Sequence, residues 1–241
     1  MDTNRILYED SDIIAIDKSH GELVVVDRWK QTPLENILLH SLGQYLREQG
    51  HKADESGRDL YPVHRLDRDT SGVVLFAKNQ KAHRAFSLLF EQREMKKFYW
   101  AFVGGRPDWD RCQVSIPIAR AEGKRGRGRA VLNFTQGNTA VTEFIVRQRR
   151  EELSLLEASP HTGKLHQIRV HLRAMGFPLL LDPLYGISKE KEKQIDSILL
   201  TRTPLHAKQI VFIHPFLQKK MEISSPLPSD LRRLYNLFTN N

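Results

Sequence analysis

Cysteine is nearly absent: Cys112 is the only one in 241 residues. A single thiol can neither close a disulfide within the chain nor build a cysteine-rich zinc site, so a reducing compartment is the simpler setting. No stretch approaches the roughly 18 consecutive apolar residues that a membrane helix needs. The start, MDTNRILYED, lacks the basic-then-apolar pattern of a secretory signal. The expectation is a soluble cytoplasmic protein without a membrane partner. There is also no fixed-period repeat, no heptad pattern, no obvious exposed apolar stripe and no compositional shift that would mark a second independent domain. One domain over residues 1–241, working as a monomer without an obligatory protein partner, is therefore expected.

Negative charge is in deficit. Lys and Arg number 37 against 29 Asp and Glu, a net charge of +8, while 40% hydrophobic and 27% charged residues make an ordinary globular composition. Such a balance favours a polyanionic partner, though a basic enzyme of small anionic metabolites would share it.

Short β-like runs dominate the chain. Arg5 to Tyr8, Ile13 to Asp17 and Leu23 to Val26 read as strands. Thr32-Pro33 then predicts a helix with Thr32 as cap, Leu34, Ile37, Leu38, Leu42, Tyr45 and Leu46 on one stripe, and Gly50 as its stop. His51 to Asp59 reads as a connection, and Asn79 caps a second helix with Ala82, Phe86, Leu89 and Phe90 on one face. Strands follow at Phe98 to Val103, Gln113 to Ile118, Ala130 to Thr135, Ala140 to Arg147 and Leu153 to Ala158, and Ser229 to Phe238 closes the chain as a capped amphipathic helix. So many strands with few helices between them predict an α+β fold, a mixed and mainly antiparallel central sheet flanked by helices, over a doubly wound one.

Within Leu60 to Asn79, LYPVHRLDRDTSGVVLFAKN, Asp67 stands between Arg65 and Arg68 ahead of the turn Asp69-Thr-Ser-Gly72 and a β-branched run. A carboxylate beside guanidinium groups stays ionised, which suits a nucleophile or base rather than an acid. A salt-bridged turn before a strand would use the same residue types. The order HRLDRDTSG resembles the active-site motif of the RluA family of pseudouridine synthases, HRLDxxTSG, and that resemblance implies Asp67 as the single catalytic carboxylate. It also implies that Arg65 fills the place vacated by the target nucleotide and contacts its phosphate.

Lys97-Phe-Tyr-Trp-Ala101 resembles the family's KxYxA motif, and an aromatic strand of this kind is otherwise ordinary core. By resemblance Tyr99 stacks on the uracil and serves in proton transfer, chemistry that a phenol permits. Pro160 to His171, PHTGKLHQIRVH, opens a third helix with Ile168, Leu172 and Met175 inward and Gly176 at its end. His166 and His171 lie about 140° apart on a helix, with no acidic residue between His161 and His171, so a metal site is not expected. The stretch is similar to TGRxHQxRxH, with Lys164 where arginine is usual. That likeness implies Arg169 as the active-site arginine pairing with Asp67, and Lys164 and His166 as RNA contacts.

Arg120 to Arg129, RAEGKRGRGR, lies between two strands and supplies Arg120, Lys124, Arg125, Arg127 and Arg129. On its own it is a charged hairpin tip, yet glycine adaptability with arginine contacts suits ordering around folded RNA. The family carries a substrate-gripping loop in this region. Leu181-Asp-Pro-Leu-Tyr-Gly186 and Leu205 to Pro215 resemble GDxxYG and LHAxxLxFxHP, and Asp17-Lys-Ser-His-Gly21 stands where NKPxG is usual; these read as scaffold. No separate small RNA-binding domain is expected before Ile6. The resemblance implies the pseudouridine synthase catalytic fold, no cofactor, and a structured RNA substrate, ribosomal or transfer. An inactive RNA-binding protein of the same fold is the alternative, and a hydrolase of small nucleotides would need a second carboxylate or a metal shell near Asp67.

Overall fold

The structure is a computed structural model that describes residues 2–26, 33–52, 60–121, 128–186 and 200–239. In chain order its strands are β1 (Ile6–Glu9), β2 (Ile13–Lys18), β3 (Tyr61–Pro62), β4 (Ser71–Ala77), β5 (Lys96–Gly104), β6 (Arg111–Ser115), β7 (Ile118–Arg120), β8 (Ala130–Leu132), β9 (Val141–Arg150), β10 (Leu153–Pro160), β11 (Leu205–Ile213) and β12 (Lys220–Ser224). The helices among the described residues are α1 (Leu38–Glu48), α2 (Gln80–Glu91), α3 (Gln167–Ala174) and α4 (Ser229–Thr239). The class is α+β, as the strand-rich pattern predicts. The chain gathers into two compact units: Met1–Met95 with Ala207–Pro226, and Lys96–His206 with Leu227–Asn241.

In the first unit the strand order is β1-β2-β4-β11, with β3 on β4 and β12 on β11. β1, β2 and β4 pair antiparallel, with Lys18 opposite Gly72 and Ile13 opposite Ala77. Ile13, Ala15, Val73, Leu75 and Ala77 share one face and pack against Ala82, Phe86 and Leu89 of α2. Ile14, Ile16, Val74 and Phe76 alternate to the other face and are fully buried too. Burial on both faces is why these strands read as unbroken apolar runs. Asn79 caps α2 as expected, its side chain accepting from Ala82 N at 2.8 Å.

The helix expected from Thr32-Pro33 begins later. Leu34–Asn36 form a 3-10 turn and Ile37 is extended (φ −112°, ψ 109°) before α1 starts at Leu38. Sideways pairing is the cause: Leu23 N donates to Asn36 O, and Leu38 N and Leu39 N donate to Leu23 O and Val24 O. Leu34, expected on the inner stripe, is consequently 55% exposed. Leu38, Leu42 and Leu46 do face inward and Gly50 (φ 84°) ends the helix. Thr32 and most of the 51–59 connection lie outside the described residues.

In the second unit β5, β10, β9 and β6 form consecutive antiparallel pairs, with Tyr99 opposite Ala158 and Ala101 opposite Leu156. Phe102 and Leu155, on one face, pack with Leu231 and Leu234 of α4. Trp100 shares that side, its ring 6.3 Å from Tyr235. Tyr99 therefore points to the opposite face, as strand alternation requires. β7 and β8 make a separate two-stranded ribbon whose Ile118 and Ala130 pack with Val170 of α3.

Candidate active site

Asp67 belongs to the first unit and is half-buried on the turn between β3 and β4. That turn is fixed from several directions. Thr70 N donates to Asp67 O (3.1 Å) and Gly21 N to Arg68 O (2.8 Å). Beneath it runs Lys18, whose side chain is fully buried and whose Nζ donates to Ser19 O (3.0 Å), Arg68 O (2.9 Å) and Thr70 O (2.8 Å). An ammonium donates three hydrogen bonds, and here three backbone carbonyls accept them. The approach to the turn is pinned by His64, whose Nε2 accepts from Leu75 N at 3.2 Å while its ring sits 5.0 Å from Phe90. The exit needs glycine. At Gly72 φ is 117°, and a Cβ there would stand 2.2 Å from Ala207 O of β11.

The two guanidinium groups expected beside Asp67 are placed otherwise. Arg68 is exposed and its Nε pairs with Asp69 Oδ1 of the same turn at 3.1 Å. Arg65 is exposed and makes no hydrogen bond or ion pair among the described residues. Asp69, engaged this way and half-exposed, is poorly suited as a second catalytic carboxylate.

Tyr99 and Arg169 belong to the second unit. Tyr99 is buried at 9% exposure in the middle of β5. Two residues earlier Lys97 places Nζ 3.5 Å from Thr162 O, and burial pushes its ammonium down to about 8 from 10.5. Arg169 is buried on α3 and meets Asp182 with two parallel bonds, Nε to Oδ2 at 2.7 Å and Nη2 to Oδ1 at 2.8 Å. Asp182 Oδ1 also accepts from Leu184 N (2.9 Å) and Tyr185 N (3.1 Å). Burial alone would raise the Asp182 carboxyl, but the hydrogen bonds and charge of Arg169 together with those two amides outweigh it and hold it below its ordinary value. Asp182 is thus an ionised anchor for the arginine rather than an acid or base. The guanidinium carbon lies 5.1 Å from the centre of the Tyr185 ring.

The three histidines of this segment face different surroundings. His161 is exposed. His166 takes a left-handed backbone (φ 51°) that swings the chain into α3, and its Nδ1 lies 2.9 Å from Tyr185 Oη. His171 is fully buried; its Nδ1 meets Thr142 Oγ1 and its Nε2 meets Ile116 O, both at 3.0 Å. A carbonyl only accepts, so Nε2 carries the proton and Nδ1 accepts from the threonine. Gln167 ties the helix start to β9 by donating to Val141 O and Thr142 Oγ1, each at 2.9 Å, and its Oε1 accepts from Lys164 N at 3.0 Å.

Of the basic hairpin residues, Arg120 and Arg129 are exposed at the ends of β7 and β8, and Arg129 Nη2 donates to Leu184 O at 2.8 Å. Lys124, Arg125 and Arg127 lie outside the described residues. Lys18, Asp182 and Tyr185 read as scaffold in the sequence, yet they hold the very residues expected to act. The available signal is charge type: a lysine within an apolar strand and an aspartate just after a buried apolar run each demand a buried partner.

The chain matches the RNA pseudouridylate synthase family over residues 12–174. It is 31% identical over 237 residues to ribosomal large subunit pseudouridine synthase D of Zymomonas mobilis, covering 96% of this chain and 72% of that protein. It is 33% identical over 228 residues to ribosomal large subunit pseudouridine synthase C of Vibrio cholerae, covering 95% of this chain and 67% of that one. Among solved structures, human RNA pseudouridylate synthase domain containing 4 aligns with a TM-score of 0.73 at 25% identity, over 97% of this chain and 94% of that one. With the Asp67, Tyr99 and Arg169 segments each folded into its own well-anchored element, the chain belongs to the RluA family of pseudouridine synthases, isomerases that act on RNA.

Proposed function

We propose that this protein converts a uridine in structured ribosomal RNA of the large subunit to pseudouridine, with Asp67 as the only catalytic carboxylate, as a cytoplasmic monomer acting through one catalytic domain. The observation that carries the proposal is the Asp67 turn, a half-buried carboxylate on backbone braced by Lys18 and by the close approach at Gly72. The named large-subunit relatives favour ribosomal RNA as the substrate.

The reaction breaks the N1 to C1′ glycosidic bond, turns the retained uracil and joins C5 to C1′. Water activation and leaving-group protonation require two carboxylates in ordinary glycosidases. No water enters this isomerisation and the leaving base returns, so one carboxylate suffices, whether it attacks C1′ or takes the C2′ proton. The nucleotide must leave its stack, at a cost of a few kcal/mol. Arg65, exposed, has the reach and charge to fill the vacated place and contact the phosphate. Tyr99 is proposed to stack on the uracil and Arg169 to support the charge of Asp67. Arg68, Lys164, His166 and the hairpin residues Arg120, Lys124, Arg125, Arg127 and Arg129 are proposed to hold the RNA backbone.

Purified protein incubated with an unmodified transcript of large-subunit ribosomal RNA, and separately with transfer-RNA transcripts, would be followed by carbodiimide-dependent reverse-transcription stops. A new stop at a discrete uridine of the ribosomal transcript is expected. A stop in transfer RNA alone would overturn the substrate assignment. Tight binding with no stop in either would favour an inactive RNA-binding protein.

A further inference from the structure

Tyr185 joins three elements that the family motifs leave separate. Its hydroxyl lies 2.7 Å from Ala130 N, 3.1 Å from Ala130 O and 2.9 Å from His166 Nδ1. A phenol has one proton and two lone pairs, so all three bonds form together when Ala130 N–H and a proton on His166 Nδ1 donate to it and it donates to Ala130 O. Its ring faces the Arg169 guanidinium at 5.1 Å, and its own amide donates to the carboxylate that grips Arg169.

The Ala130 side of this junction is a short ribbon. Among the described residues β7 and β8 pair through Ile118–Leu132, Ala119–Val131 and Arg120–Ala130, with Ala121 N donating to Arg129 O (3.1 Å) and Asn133 N to Pro117 O (3.0 Å) on either side. A two-stranded ribbon of this size is marginal alone and takes its orientation from what it touches. In an antiparallel ladder, directly opposed residues alternate between exchanging both hydrogen bonds and pointing them outward. The phenol takes both polar groups of Ala130, so it stands where a third strand would. Arg129, the next residue, donates to Leu184 O, the residue before Tyr185. A shift of the ribbon is therefore felt at Val170, against which Ile118 and Ala130 pack, and at Tyr185, and through the phenol at Asp182 and Arg169.

We propose that Tyr185 is a positioning residue that couples engagement of RNA by the β7–β8 hairpin to the orientation of Arg169. This deepens the proposed function and rests on the roles assigned there to the hairpin and to Arg169. RNA closing on the exposed arginines sets the ribbon, the ribbon sets the phenol, and the phenol fixes the ring and amide against which Arg169 is held. The enzyme then reaches its working geometry when the hairpin is occupied.

Tyr185→Phe keeps the ring over Arg169 and removes the hydroxyl. Hydrogen exchange read by mass spectrometry would be measured for wild type and variant, with and without a large-subunit ribosomal RNA transcript. In the wild type the transcript should slow exchange both in residues 128–132 and in 166–174; in Tyr185→Phe it should slow only the first. Single-turnover pseudouridine formation at saturating protein should fall about tenfold in the variant while RNA affinity stays within about twofold. Protection of both segments in the variant, or an unresponsive helix in the wild type, would overturn the coupling. Absence of hairpin protection in the wild type would overturn the coupling as well, and by itself would remove the hairpin from the RNA-binding face. Pseudouridine formation by the wild type is scored independently, so loss of the coupling is distinguishable from loss of the proposed activity.

Discussion

Replacing Lys18 by Met separates what holds the fold from what aims the catalyst. The buried ammonium donates to Ser19 O, Arg68 O and Thr70 O at 2.8–3.0 Å. Hydrogen bonds involving a charged group are worth about 1.5–3 kcal/mol each, which summed naively over three would be comparable to a protein's whole net stability. The sum overstates the loss. Ser19 is exposed, so water can replace the ammonium there, and Arg68 O keeps the Gly21 amide at 2.8 Å. Thr70 is only 4% exposed, and leaving its carbonyl without this donor costs about 1–3 kcal/mol. Methionine also removes an ammonium whose burial itself costs several kcal/mol. The net destabilisation should therefore be only about 1–3 kcal/mol, a fall in Tm of roughly 2–12 °C for a chain of this size. Activity should suffer more, because the freed carbonyls belong to the turn that carries Asp67 and a misplacement near 1 Å can cost about 100-fold. Urea denaturation and single-turnover pseudouridine formation on the same preparation test this. A variant that is destabilised as expected but fully active would refute the assignment of Lys18 to positioning the turn.

Asp182→Asn removes the negative charge that grips the buried Arg169 guanidinium, so stability should fall by about 3–5 kcal/mol in urea denaturation, and a decrease under about 1 kcal/mol would contradict the anchoring role. Burial holds His171 below its ordinary value of 6.5, against the smaller opposing effect of its bond to Ile116 O. A folded value below the unfolded one means that its contribution is present above about pH 6.5 and is lost as pH falls through the folded value. Thermal melts of the wild type should accordingly weaken more between pH 7 and pH 5 than those of His171→Gln, and equal slopes would count against it. Neutralising Arg125, Arg127 and Arg129 should weaken RNA binding and flatten its salt dependence by about 0.7 in log–log slope for each arginine that pairs with a single-strand phosphate, where an unchanged slope would remove the hairpin from the interface.

Short-range chemistry is legible in the sequence wherever it decides the structure. Asn79 announces α2 because a side-chain oxygen satisfying Ala82 N is a local event, and Gly50 and Gly176 stop their helices for the same reason. The start of α1 is not legible, because Leu23 and Val24, more than ten residues upstream, pair with the backbone of 36–39, and no helical periodicity reports a partner outside the window. The same limit applies at the site. The Asp67, Tyr99 and Arg169 segments are recognisable as motifs, while Arg68 turning to Asp69 is a matter of side-chain direction and Asp182 gripping Arg169 joins groups 13 residues apart along the chain. Lys18 is the clearest case. On β2 it occupies an inward position that apolar patterning assigns to a hydrophobe, and two of its three acceptors come from the turn folded about 50 residues later.

The most direct test of one-carboxylate catalysis is single-turnover pseudouridine formation by Asp67→Asn on a ribosomal RNA transcript that the wild-type protein modifies. The substitution keeps the shape of the side chain and removes its charge. Retained RNA binding and folding with no detectable pseudouridine is the expected result, whereas modification at a rate near that of the wild type would contradict the account at its root.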